Sequence, residues 1–123
     1  MKIETLVFDS LKKIIPQNAA KTVLFASVTE TSYELFFYCL FEDGVFRQCY
    51  TLAEDGILDS YLLDMTFTKI AEQIRADKKY KSDSKNVFTF TVDERGVRLT
   101  VDYYSEEART YKIKKDWKEK YII

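Results

Sequence analysis

Six apolar residues near the start of the chain, Ile3, Leu6, Val7, Leu11, Ile14 and Ile15, recur at three- and four-residue spacing. That period places them on one stripe of an amphipathic helix, which Pro16 ends. From Lys21 to Val28 and from Tyr33 to Phe41 the residues turn β-branched and aromatic, with polar Thr29 to Ser32 between, so two adjacent strands are predicted. Both alternating faces of Tyr33 to Phe41 are apolar, which predicts an internal strand. Glu42-Asp43-Gly44 signals a turn, because glycine tolerates positive φ, and Val45 to Leu52 then predicts a third strand completing a meander. Leu58, Tyr61, Leu62, Met65, Ile70, Ala71 and Ile74 return to helical spacing and predict the longest helix, from Leu58 to about Lys79, with Asp55 or Asp59 as its N-cap. A polar stretch from Lys78 to Lys85 predicts a loop. Val87, Phe88, Phe90 and Val92, then Val97, Leu99, Val101 and Tyr103, flank the turn Asp93-Glu94-Arg95-Gly96 and predict a second hairpin. Tyr111 to Ile123 predicts a short helix that docks through its aromatics.

The expected fold is therefore α+β: a five-stranded antiparallel sheet, built from a three-strand meander, a long helix and a hairpin, with N-terminal, central and short C-terminal helices. A length of 123 residues fits one domain, 1–123, with a single core. Apolar residues at 46% and charged residues at 32% favour a compact chain over a disordered one. Aromatics at 15% exceed what such a core needs, so some tyrosines are expected to face outward. The N-terminus has neither the apolar run of a secretory signal nor that of a membrane span, and the expected location is the cytoplasm. Cys39 and Cys49 are expected as packed thiols, with a cross-strand disulfide or a redox role as the alternative.

Charge is unevenly spread. Between Thr29 and Thr68 eight carboxylates face one base, Arg47, a net −7 in a chain whose total is −1. Such an acidic middle favours a basic partner, since opposite fields steer association. The carboxylates Glu42, Asp43, Glu54, Asp55, Asp59 and Asp64 are the candidate binding patch, and Tyr50, Tyr61 and Tyr80 the candidate aromatic anchors. No histidine is present, which removes the commonest general base, the histidine-activated nucleophile pairs and the commonest transition-metal ligand. Two cysteines ten residues apart do not make a zinc site, and neither a phosphate loop nor a calcium loop occurs. No metal or nucleotide cofactor is expected, and no catalytic residue is nominated. Two rivals stand beside a protein-binding role. Lys78, Lys79, Lys81 and Lys85 with the basic C-terminal segment suit a small nucleic-acid-binding module, although the acidic balance disfavours it. Asp55 with Asp59, and Asp102 with Glu106, lie four apart as an acid pair would, although helix capping accounts for the first two.

The run Val97 to Tyr104, then Glu106-Glu107-Ala108-Arg109 and Trp117-Lys118-Glu119-Lys120-Tyr121, resembles the YezG-like immunity and antitoxin family. Asp102 and Tyr103 match its Asp-aromatic strand end, and Trp117, Lys118 and Tyr121 its C-terminal element. Ser105 stands where the family's tyrosine is expected, with Tyr104 one place early. The order of elements is similar along nearly the whole chain. The resemblance implies a cytosolic inhibitor that binds a cognate bacterial toxin domain, mostly a nuclease and in some cases one of contact-dependent growth inhibition, without being an enzyme or crossing a membrane.

Overall fold

A computed structural model describes residues 1–123. The elements in order are α1 (Ile3–Leu11), β1 (Lys21–Val28), β2 (Tyr33–Leu40), β3 (Phe46–Gln48), α2 (Cys49–Glu54), α3 (Ser60–Arg75), β4 (Lys85–Asp93), β5 (Gly96–Tyr104) and α4 (Thr110–Tyr121). The strands form one antiparallel sheet in the order β3-β2-β1-β4-β5, an α+β arrangement with β2 internal, as its two apolar faces predict. The long crossing through α3 sets the second hairpin against β1, which becomes the central strand.

Register sorts the core into two layers. Leu24 lies opposite both Phe37 and Phe90, and Phe25 opposite both Phe36 and Thr89. Because successive side chains alternate faces, Leu24, Phe37 and Phe90 share one face with α3, whose Phe67 meets Phe37 edge-on at 6.0 Å. On the other face Trp117 of α4 lies 5.3 Å from Phe25 and 5.5 Å from Phe36, and its Nε1–H donates to Thr89 Oγ1 at 2.9 Å. That bond satisfies the one polar atom of a buried indole.

Three local expectations are corrected. The first helix stops at Leu11, short of Ile15, where the Ile14 and Ile15 amides both turn back to the Leu11 carbonyl; Ile14 is still buried. The third strand spans three residues, not Val45 to Leu52, and the chain turns helical at Cys49. Cys49 and Leu52 are both fully buried, and residues three apart reach one side in a helix, not in a strand.

The third correction concerns the long helix. It begins at Ser60, where Asp59 Oδ1 accepts from the Tyr61 and Leu62 amides at 2.9 and 3.1 Å, and ends at Arg75. Its buried stripe is Leu63, Thr66, Phe67, Ile70, Ala71 and Ile74, so Tyr61, Leu62 and Met65 lie outside the core. The predicted stripe contained a five-residue gap from Met65 to Ile70, which the helical period does not allow; Phe67 closes it from the other face. At the far end, Arg75 donates from Nε to the Thr29 carbonyl at 2.9 Å and from Nη2 to the Ser32 carbonyl at 3.1 Å, tying α3 to the first hairpin turn.

Candidate functional site

The corner between α2 and α3 is set by backbone chemistry. Asp55 caps the end of α2, Gly56 takes φ +77°, and the Ile57 amide returns to the Leu52 carbonyl at 2.9 Å. A glycine meets this positive φ at least cost. Leu58 is then buried and Asp59 opens α3, which leaves Ile57 outside at 57% exposure. One helical turn further, Tyr61, Leu62 and Met65 are 73%, 40% and 51% exposed. Tyr61 and Met65, four apart, form a crest, while Leu62 and Met65 slope toward α1 into a shallow groove shared with Ser10, Lys13 and Lys69.

Carboxylates rim the ridge. Asp64 stands on its β2 side, within the electrostatic reach of Tyr50. Glu54, Asp55 and Asp59 lie along the α2–α3 corner. Glu42 and Asp43 sit at the β2–β3 turn, where they share a ≈ 420 Å³ cleft with Arg47, Phe41 and Ile57, so the hairpin tip adjoins the ridge. Two of the six predicted acids are already engaged. Asp43 grips Arg47 (Oδ2 to Nη2, 2.6 Å), which together with the Val45 amide holds its carboxyl below the usual range, and Asp59 is bound to the start of α3. Glu42, Glu54, Asp55 and Asp64 carry no ion pair.

The three tyrosines part company. Tyr61 crowns the ridge. Tyr50 lies on α2, not on a strand, and its hydroxyl donates to the Leu35 carbonyl at 3.0 Å; burial, and then the neighbouring Cys49, push the phenol up to about 12. Tyr80 packs against the core beyond the end of α3, near the first hairpin turn, which lies at the opposite end of β2 from Glu42 and Asp43. The structure does not bring it to the other candidates. Both cysteines are free and buried, and desolvation raises each thiol to about 11.

The basic candidates diverge as well. Lys85 Nζ donates to the Ala108 carbonyl and Thr110 Oγ1, pinning the entry to α4, and Lys81 Nζ lies over the Tyr103 ring at 4.1 Å. The basic C-terminal segment, by contrast, gathers its lysines beside tyrosines. Lys114, Lys115 and Lys118 line a ≈ 570 Å³ cleft with Tyr38, Tyr50 and Tyr111, where only Lys114 has an acid partner, Glu34 at 2.6 Å. Of the acid pairs, only Asp59 caps a helix start with its side chain; Asp55 stands at the C-terminal end of α2, where its backbone N–H and not its carboxylate bonds, and Asp102 lies on β5 while Glu106 lies in the turn after it. No three His, Cys, Asp or Glu side chains lie close enough to hold a metal ion, and no helix is long and apolar enough to cross a membrane.

No protein-family model matches the chain, and no curated protein matches it. Three of the residues that carry the resemblance to YezG-like proteins have structural duties: Trp117 anchors α4, Tyr121 packs on Trp117 at 5.3 Å, and the Tyr103 hydroxyl donates to the Lys79 carbonyl. What sequence reasoning missed in the site is Ile57, Leu62 and Met65. Their signal was the excess of apolar residues over one stripe's worth in Ile57 to Ile74.

Proposed function

We propose that this chain is an immunity-type binding protein that neutralises a bacterial toxin domain, a basic nuclease, by direct contact and without catalysis of its own. The observation that carries this reading is the exposed ridge Ile57–Tyr61–Met65 with unpaired carboxylates at its rim. Apolar anchors that can be fully desolvated hold a complex together, and the surrounding charge steers encounter with a partner shaped to bind a polyanion. The resemblance in the strand end and C-terminal element supports the same role, and a cytoplasmic setting belongs to it.

Co-expression with a toxin domain encoded beside this chain is the direct test. The wild-type chain should restore growth and bind the purified domain, and failure of both would reject the reading. Tyr61→Ala with Met65→Ala should accelerate dissociation at least about tenfold with an unchanged melting temperature, because both side chains lie outside the core. Asp55→Lys with Asp64→Lys should slow association and flatten its salt dependence while sparing the cap at Asp59. A second reading, a nucleic-acid-binding module, draws on the lysines and tyrosines of the α4 cleft. A salt-sensitive gel shift abolished by Lys115→Glu with Lys118→Glu, and untouched by the ridge variants, would select it.

A further inference from the structure

β5 has a neighbour on one side only and runs nine residues, Gly96–Tyr104. Asp93 and Gly96 pair across a two-residue turn, and residues that flank such a turn exchange hydrogen bonds with each other. Even-numbered β5 residues therefore turn their backbone N–H and C=O toward β4. Val97, Leu99, Val101 and Tyr103 turn theirs away from the sheet, and no turn or loop backbone group bonds to them. Natural sheets blunt an edge of this length with charged side chains, Lys above all, with Pro or with a bulge. This one has neither Lys nor Pro, its two charges, Arg98 and Asp102, are of opposite sign, and its register with β4 runs unbroken from Asp93↔Gly96 to Lys85↔Tyr104.

The edge is complementary to itself. Set antiparallel to a second copy with Thr100 opposite Thr100, the outward backbone groups of Leu99 meet those of Val101, and those of Val97 meet those of Tyr103. On the α4 face the same register puts Arg98 opposite Asp102 of the second copy, twice by symmetry, in the closely spaced pairs where cross-strand side chains interact. On the opposite face it sets Leu99 against Val101 and Val97 against Tyr103, apolar pairs of the kind that stabilise a sheet. A slip of two residues either way keeps backbone bonding but loses both charge pairs. Asp102 has no ion pair in its own chain, and Arg98, half exposed, holds only Asp93 at 2.7 Å.

We propose that the chain forms a two-fold homodimer by antiparallel β5–β5 pairing centred on Thr100, joining the two sheets into one. This is independent of the toxin-binding role, since it uses none of the ridge. Sedimentation equilibrium across micromolar concentrations tests it, with circular dichroism to confirm folding of each variant. The wild type should be dimeric. Arg98→Asp and Asp102→Arg should each weaken the dimer at least about tenfold, because each sets two like-charged pairs across the axis. Combining them as R98D/D102R restores opposite charges and should return the affinity to near the wild-type value. Val101→Pro, which removes an outward amide and leaves the β4 ladder intact, should give a folded monomer. A wild type that stays monomeric at the highest concentration, leaving the edge to a strand from another protein, would overturn the proposal. So would a dimer indifferent to the single reversals, or a double variant that fails to recover.

Discussion

At the β3 edge the sheet is finished by side chains, whereas at the β5 edge it stops with a nine-residue strand that has a neighbour on one side only. β3 pairs only with Tyr38 to Leu40 of β2, and beyond it the Cys49 thiol accepts the Phe37 amide at 3.5 Å while the Tyr50 hydroxyl serves the Leu35 carbonyl. The buried side chains of Cys49 and Leu52 hold α2 in place over that stretch. The difference lies in where the backbone's bonding capacity is met. A strand under a helical plug has its polar groups satisfied within the chain, and a bare edge has to meet water or another strand. The first arrangement belongs to the core and should respond to mutation as stability. The second should respond as association.

The largest expected effect tests the covered edge. Phe37, fully buried between Phe67 and the sheet, should cost about 3–5 kcal/mol when replaced by Ala, from lost transfer energy plus a cavity, and Phe36→Ala should cost nearly as much. Urea unfolding measures both, and a midpoint close to wild type for either would break the contrast with β5. Alkaline pH probes the plug itself. The thiols of Cys39 and Cys49 sit near 11 in the fold against 9.0 unperturbed, so the unfolded state releases its protons first. Stability should be at its full value below pH 9.0 and fall as pH rises toward 11, by at most about 1.4 kcal/mol per pH unit for each thiol. Tyr50 extends the decline above 10.0, its phenol being raised to about 12. Replacing both cysteines by Ala should move the onset up to the Tyr50 range, and a chemical-denaturation series across pH would reveal an unmoved onset if the thiols played no part. The smallest effect is Tyr50→Phe. It leaves the Leu35 carbonyl without its donor and should cost about 0.5–1.5 kcal/mol, again by urea unfolding.

Much of this fold was legible in the chain. Periods of two and of three to four residues separate strands from helices by geometry alone, which is why β1, β2 and both strands of the second hairpin fall where alternation and turn residues put them. An aspartate before a helical run fixes a helix start through local hydrogen bonds, and Asp59 does so. The charge asymmetry, the missing histidine and the excess of aromatics are likewise properties of the sequence itself. Tertiary structure decided what depends on distant partners. Val45 to Leu52 reads as strand because its residues favour one, yet burying Cys49 and Leu52 together against β2 required a helical turn. Ile57 to Ile74 holds more apolar residues than one stripe can bury, and contact with Phe37 selected the stripe containing Phe67, leaving Tyr61 and Met65 outside. The sheet order, and with it the free edge at β5, follows from the second hairpin docking on β1. That pairing joins residues about sixty apart in sequence, a separation that local periodicity does not register.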